Sequence, residues 1–507
     1  MTSSTSKPRR PGLLKYLSLL LLALADPAFA GDVVLKNVQV VDIESGRTIA
    51  GRTAIVSDGY ITTIGAQESV PIPEDARVID AGGRYLMPAL WDMHVHPMQP
   101  EALAMFVANG VGGVRIMSGL PRHLEWRARV EFGELLGPRL LIAGPIVEGL
   151  PPQQMSGVVD TEGRRLIRSF ADGVAEVRKQ RAAGFDYIKV YNNVPLEAYN
   201  GLVAEAGRLR IPIVGHVPFA IGIRGALAAR QKSIEHLRGY IEQLVPASAP
   251  IQPGIDMRSR TLAWEHIEES RIPELVRATQ TAGAWQCPTL STFIFHAPAR
   301  DVEDYLATTQ AEYLDADTRE AFRHRDRVKW LSNFDEADFV RATRNNRKQT
   351  TLLRAMHAAG VPILAGTDTN AFGFDLHREL ELLVDAGLSP HEALITATAN
   401  PVRFAGLETA TGRVAPGYAA DLVLLDANPL QDIRNTRRIN AVMLRGQWLD
   451  RAALDELLTK ARPPHAQNVR SEDKERRRRN VVPARRDPSE IRWRNQMDSR
   501  FARVTGA

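Results

Sequence analysis

Six side chains in the 507-residue sequence share one kind of position. His94 and His96 stand two apart in Met93-His94-Val95-His96. On an extended chain that spacing turns both imidazoles to one side, so both can reach one metal ion. Lys189 lies among apolar neighbours in Tyr187-Ile188-Lys189-Val190-Tyr191, where an ammonium is costly to bury. His216 closes Val214-Gly215-His216, His236 closes Ile234-Glu235-His236, and Asp368 closes Ala365-Gly366-Thr367-Asp368. Histidine and aspartate hold divalent metals and move protons. Taken singly, each has a structural reading: a satisfied core histidine, or a salt-bridged or snorkelling lysine. Recurrence at the ends of separate short apolar runs argues for one shared site.

Those runs set the expected architecture. Tyr85 to Leu90, Gly113 to Met117, Arg139 to Ala143, Tyr187 to Tyr191, Pro212 to Gly215, Ser233 to Leu237, Ala284 to Pro288 and Pro362 to Gly366 are strand-like. Helix-length segments such as 176–183 and 197–209 separate several of them. Strand–helix repetition predicts an α/β fold, a (β/α)8 TIM barrel, whose chemistry gathers at the C-terminal ends of the strands. Ahead of it, 33–41 and the hairpin 53–64, turning on Ser57-Asp58-Gly59, read as β structure. The β pattern returns over 412–450. We expect these flanks to form one small β-sandwich domain, with parts at 31–85 and 409–458 and the barrel at 86–408. The charged stretch from Leu290 to Gly360 is expected to cover the barrel mouth as a helical lid.

The ends differ from the body. Lys7, Arg9, Arg10 and Lys15 precede an apolar run from Leu17 to Ala25 and a small-x-small site at Ala28-Phe29-Ala30. This is the pattern of a secretory signal peptide over 1–30, so the protein is expected to be exported to the periplasm or beyond; an uncleaved membrane anchor is the alternative. The apolar run is short of the roughly 20 residues that span a bilayer, so no stable span is expected after cleavage. Residues 459–507, with Arg476 to Arg479 in a row, read as a basic, disordered tail. Net charge is +3 over 1–30 and +7 over 462–507, against +5 for the whole chain, so the body is mildly acidic. Nothing aromatic interleaves with the arginine run, which argues against nucleic acid. The single cysteine, Cys287, excludes an intrachain disulfide and thiolate-rich metal clusters.

The chain resembles the amidohydrolase superfamily over roughly residues 33–450. The likeness rests on Leu86-Met87-Pro88-Ala89-Leu90-Trp91-Asp92-Met93-His94-Val95-His96, on the exit segment 392–401 (EALITATANP) and on 412–423 (GRVAPGYAADLV), together with the ligand set. The sequence around Lys189 and His377-Arg378-Glu379-Leu380 point to the imidazolonepropionase-related branch that includes metal-dependent Xaa-Pro dipeptidases. The resemblance implies two divalent metal ions, zinc by default. His94, His96 and Asp368 would hold one ion, and His216 and His236 the other. Lys189, carboxylated by carbon dioxide, would bridge them together with a hydroxide. Asp368 would carry protons between water and the leaving amine. Tyr191, on the same side of its strand as Lys189, is a candidate catalytic residue that contacts substrate or polarises a carbonyl; His296 and His377 are further candidate contacts, and His377 with Glu379 is alternatively a pair standing behind the ligands. The implied reaction is hydrolysis of a carbon–nitrogen bond in a small molecule or short peptide, of Xaa-Pro or N-acyl amino acid type. A lactam, lactone or ester hydrolase with the same site, and a non-catalytic binding protein on a relict barrel, remain as alternatives. A homo-oligomer is allowed. Two turns depart from the family pattern: Arg115-Ile116-Met117-Ser118-Gly119 after the second strand and Gly149-Leu150-Pro151-Pro152 after the third. Loops of this kind set specificity.

Overall fold

A computed structural model describes residues 31–149, 163–328 and 330–463. Residues 1–30, read above as an export signal, the turn residues 150–152 and the residues from 464 onward lie outside the described residues. In chain order the strands are β1 (Val33–Asp42), β2 (Arg47–Ser57), β3 (Tyr60–Ala66), β4 (Arg77–Asp80), β5 (Tyr85–Pro88), β6 (Leu90–Val95), β7 (Val111–Ile116), β8 (Arg139–Ile142) and β9 (Ile146–Glu148). They continue with β10 (Arg164–Leu166), β11 (Ile188–Val190), β12 (Ile213–Gly215), β13 (Ser233–Glu235), β14 (Trp285–Cys287), β15 (Leu422–Leu425), β16 (Ile439–Leu444) and β17 (Gln447–Asp450).

Both ends of the chain build one β unit. Its hydrogen-bonded sheet runs β17-β16-β15-β5-β1-β2-β3, with β4 also pairing β1. Leu35, Val38, Val56, Ile61, Leu86, Leu422, Leu424 and Met443 bury one common core inside it. The structure corrects the expected first barrel strand. Tyr85–Pro88 pairs β1 and β15 and so belongs to the β unit, which therefore extends past residue 85. The first strand of the parallel sheets is β6. Exposure separates the two roles: β2 carries exposed residues, whereas every residue of β6 and β7 is buried, as expected of parallel strands covered on both faces. At the other end, helix Arg451–Ala461 runs beyond 458, capped by Asp450, whose carboxylate accepts the Ala453 N–H at 2.9 Å.

The parallel strands form two sheets, β6-β7-β8 and β10-β9-β11-β12-β13-β14. Backbone bonds cross both seams. Gly144 N donates to Tyr187 O (2.9 Å) and Asp186 N to Ile142 O (2.8 Å), joining β8 to the approach of β11. Residues 362–368 make a single bridge, Gln286 to Ile363, rather than a full strand. On one side Leu364 N donates to Gln286 O (2.8 Å), and on the other Met93 N donates to Ala365 O (2.9 Å).

Helices fall where the sequence places them, at Phe170–Ala183 and Leu196–Leu209. Ser169 starts the first with a capping box, its hydroxyl accepting from Asp172 N and the Asp172 carboxylate accepting from Ser169 N. The stretch 290–360 contains helices Ala299–Leu306, Ala316–Arg323 and Glu336–Ala358, and it buries a core of its own around Phe295, Tyr305, Leu314 and Phe322. Among the described residues no helix is long and apolar enough to cross a membrane.

Candidate metal centre

Five of the expected ligands converge. His96 Nε2 lies 3.2 Å from Asp368 Oδ1, His94 Nε2 3.7 Å from the same atom, and His236 Nε2 3.6 Å from Asp368 Oδ2. The rings of His94 and His236 are 4.8 Å apart, and those of His216 and His236 4.9 Å. Ligand atoms of His94, His236 and Asp368 all fall within 4.8 Å of one another. Lys189 is buried on β11, with Glu235 and Asp368 as its nearest influential anions. Burial lowers its ammonium to about 8.

The tautomers are fixed from outside the cluster. His94 Nδ1 faces Glu235 Oε2 at 2.9 Å, His216 Nδ1 faces Asn192 Oδ1 at 2.7 Å, and His236 Nδ1 faces Thr289 Oγ1 at 2.6 Å. Thr289 spends its own proton on Pro288 O (2.8 Å), so it accepts from His236. An ionised carboxylate and an amide oxygen likewise only accept. Each Nδ1 therefore carries the proton, and each Nε2 turns a lone pair inward. This is how metal-binding histidines are oriented. Burial pushes all three imidazoles well below the usual range, so they are neutral and ready to coordinate. Asp368 Oδ1 is buried with no aligned hydrogen-bond donor, despite the nearby His96. An orphaned carboxylate oxygen ringed by imidazole lone pairs fits a divalent cation and little else.

The backbone shares in this arrangement. His236 (φ 58°) and Asp368 (φ 50°) both occupy the left-handed region, and Thr289 does too (φ 51°). Such conformations are unfavourable without glycine and cluster at functional sites. Asp92 locks the turn before Asp368, its carboxylate accepting from His94 N (3.2 Å), Thr367 N (3.0 Å) and the Thr367 hydroxyl (2.8 Å).

The remaining candidates divide. Tyr191 stacks on His216 at 4.2 Å, and its buried hydroxyl has no partner among the described residues; burial pushes the phenol up, so it stays protonated. His296 lines the cavity that also exposes His216, His236 and Asp368, its Nε2 buried and unpartnered. His377 is corrected. Its Nδ1 meets Thr436 Oγ1 (2.9 Å) and its Nε2 meets Asn109 O (3.1 Å), so both nitrogens are committed to packing away from the cavity. Glu379 does not support it either, but accepts from Leu290 N, Ser291 N and the Ser291 hydroxyl. Phe295, Trp330, Asn346 and Gln349 bring the stretch 290–360 over the same cavity.

Sequence reasoning missed the support behind His94. Arg115, fully buried on β7, donates to both oxygens of Glu235 (3.0 and 2.9 Å), to Ser233 Oγ (3.0 Å) and to Met93 O (2.7 Å). The signal was present: opposite charges on two short strands of this kind, once buried, are costly unless they pair. Asn192 and Thr289 left no such signal. Cys287 also approaches His94 and Glu235, but Glu235 is consumed by Arg115 and Ser233, and burial raises the thiol.

The sequence profile described as the amidohydrolase family matches residues 85–449. Among curated proteins, the ochratoxinase of Aspergillus niger is 24% identical over 457 residues, covering 78% of this chain and 82% of its own. The imidazolonepropionase of Cereibacter sphaeroides is 25% identical over 411 residues, covering 78% and 93%. Among solved structures, a Xaa-Pro dipeptidase with bound methionine in the active site superposes with a TM-score of 0.60 at 18% identity, covering 83% of this chain and all of the other.

Proposed function

Since the chain belongs to the amidohydrolase family and is a metal-dependent hydrolase of carbon–nitrogen bonds, we propose that it cleaves the amide of a small peptide of Xaa-Pro type or of an N-acyl amino acid. The observation that carries this reading is the inward convergence of His94, His216 and His236, each fixed at Nδ1, around the unpaired Asp368 oxygen.

In this reading β6–β8, β11–β14 and residues 362–368 are one closed (β/α)8 barrel, and the bonds across both seams support the closure. The β unit is a sandwich-like domain whose sheet curls on itself. Ile61 N to Tyr418 O (2.9 Å) and Ala420 N to Gly59 O (2.8 Å), which tie the β3 edge to the lead-in of β15, support the curl.

His94, His96 and Asp368 would hold one divalent ion and His216 and His236 a second, with zinc the default for this donor set. Lys189 would join the two as a carbamate. The ammonium would first lose a proton to solvent, the free amine would bond to the carbon of carbon dioxide, and a second proton would leave the nitrogen for solvent, so that an anion would stand where the cation was. When bound, the ions supply Lewis acidity, polarising the scissile carbonyl and bringing the pKa of water toward neutrality. Asp368 takes the proton of the attacking water and passes it to the leaving amine. Tyr191 donates its hydroxyl to the carbonyl oxygen as charge develops there. The 290–360 stretch excludes bulk water, and export by residues 1–30 suits scavenging of peptides or amides.

The test is amine release by the zinc-reconstituted protein across Xaa-Pro dipeptides, other dipeptides and N-acyl amino acids, with Asp368→Asn as blank. Turnover above the blank is expected. Turnover confined to lactams or lactones would move the reading to cyclic substrates. Silence on every amide, ester and lactam by metal-loaded protein would overturn it in favour of a relict barrel.

A further inference from the structure

One charged group in the cavity has no task in this mechanism. Arg238 follows His236 by two residues, on the turn beyond β13, where its backbone N–H donates to Glu235 O (3.1 Å). Its side chain lines the same cavity as His216, His236 and Asp368. Among the described residues, no side-chain hydrogen bond or ion pair holds its guanidinium. The neighbouring Arg260 is different: it is ion-paired with Glu242 and reaches Gly254 O at 3.4 Å. Glu242 Oε1 is therefore taken, its Oε2 makes no hydrogen bond or ion pair with Arg238 among the described residues, and Asp368 faces the histidines. Tyr191 is a neutral phenol. A guanidinium stays a cation at neutral pH.

The rest of the cavity wall is apolar or neutral. Met257, Trp264, Phe293 and Trp330 line it, and burial holds His296 near 3, uncharged. A half-buried cation without a counter-charge is expensive, and its planar fork matches a carboxylate in two parallel hydrogen bonds. An ammonium-bearing group would be repelled there, and a wholly apolar ligand would leave the guanidinium desolvated and unpaired.

We propose that Arg238 receives a free carboxylate of the substrate while the aromatic wall receives an apolar side chain, so that the enzyme selects amides carrying both close to the scissile bond. This rests on the amide-hydrolase reading above and names the substrate feature that the site would require. Arg238 is a specificity-determining residue in this scheme; it takes no part in proton transfer.

The experiment pairs an N-acetyl amino acid of apolar side chain with its C-terminal carboxamide, using zinc-loaded full-length protein, Arg238→Gln and Arg238→Lys. Wild type is expected to favour the acid by about 100-fold in kcat/KM, the scale of losing one partner of a buried charge pair. Arg238→Gln should lose that preference, mainly through a raised KM for the acid; Arg238→Lys should recover part of it. Equal wild-type rates on both substrates, or equal losses on both in Arg238→Gln, would overturn the proposal and leave amide hydrolysis standing. Calorimetric binding of 3-phenylpropionate against 3-phenylpropionamide separates the two readings. A carboxylate preference lost in Arg238→Gln supports the proposal even where no amide turns over. A preference that survives in Arg238→Gln assigns the carboxylate to another partner and overturns it.

Discussion

At the scale of single residues, the site is a problem of burying charge and lone pairs. Lys189 illustrates it, since desolvation lowers its ammonium to about 8 while it sits beside three neutral histidines. Lys189→Ala should weaken metal retention by more than about 100-fold, beyond the loss typical of outer-shell changes. A small carboxylic acid in the buffer should restore part of it by replacing the missing anion. Metal analysis after gel filtration checks this, and full retention without the acid would remove the lysine from the ligand set. His123 offers a pH test away from the ligands. Its Nδ1 accepts from Leu120 N (3.0 Å) and its Nε2 donates to Pro97 O (3.0 Å), directly after His96, so the ring must be neutral. Burial lowers it from 6.5 to about 4. The unfolded chain thus binds a proton that the folded chain refuses between these values. Stability falls as pH drops from 6.5 toward 4 and the contribution is flat below that, with a total of roughly 3 kcal/mol. His123→Gln, which does not titrate, should flatten that limb of the urea-denaturation profile relative to wild type. The ligands were legible in the sequence because chemistry-bearing residues stood out at the ends of apolar runs. His377 misled for the same reason: its sequence context looked functional, but both nitrogens were already spent on Thr436 and Asn109.

At the scale of elements, strand ends do the positioning. Gly215 closes β12 at φ 122°, and a Cβ there would lie 2.4 Å from Val190 O and 2.8 Å from Lys189 Cδ. Gly215→Ala should cost roughly 1–3 kcal/mol of stability through backbone strain and should also displace Lys189. Denaturant unfolding together with metal content checks both effects; normal values for each would show that the β11–β12 spacing is slack. The short strands β11 to β14 were readable because each keeps apolar residues in a short segment set off by helix-length stretches, as buried parallel strands do. The passage from β5 to β6 was not. Residues 85–91 run without a charged residue, and only the pairing of Tyr85–Pro88 with β1 and β15 divides them between two units. The backbone of 362–368 was sensed as a strand, although it bonds its neighbours through isolated contacts and then turns left-handed at Asp368.

At the scale of the whole molecule, the centre ties distant parts of the chain together. His94, Lys189, His216, His236 and Asp368 span most of the barrel sequence, and Arg115 braces Glu235 against them from β7. Ligands that bind only the folded state stabilise it by mass action, about 2.7 kcal/mol at a hundredfold excess over Kd. Chelation should therefore lower the melting temperature by several degrees, and returning zinc should restore it; an unchanged melting curve would mean that the cluster folds without help from a cation. The most direct test of the central claim is amine release from an N-acyl amino acid or Xaa-Pro dipeptide during zinc titration of metal-free protein, run beside Asp368→Asn. The account predicts activity that rises to a plateau at two equivalents per chain, while Asp368→Asn binds the metal and stays at least about 100-fold slower. Full turnover in the metal-free protein, or equal turnover in Asp368→Asn, would contradict it.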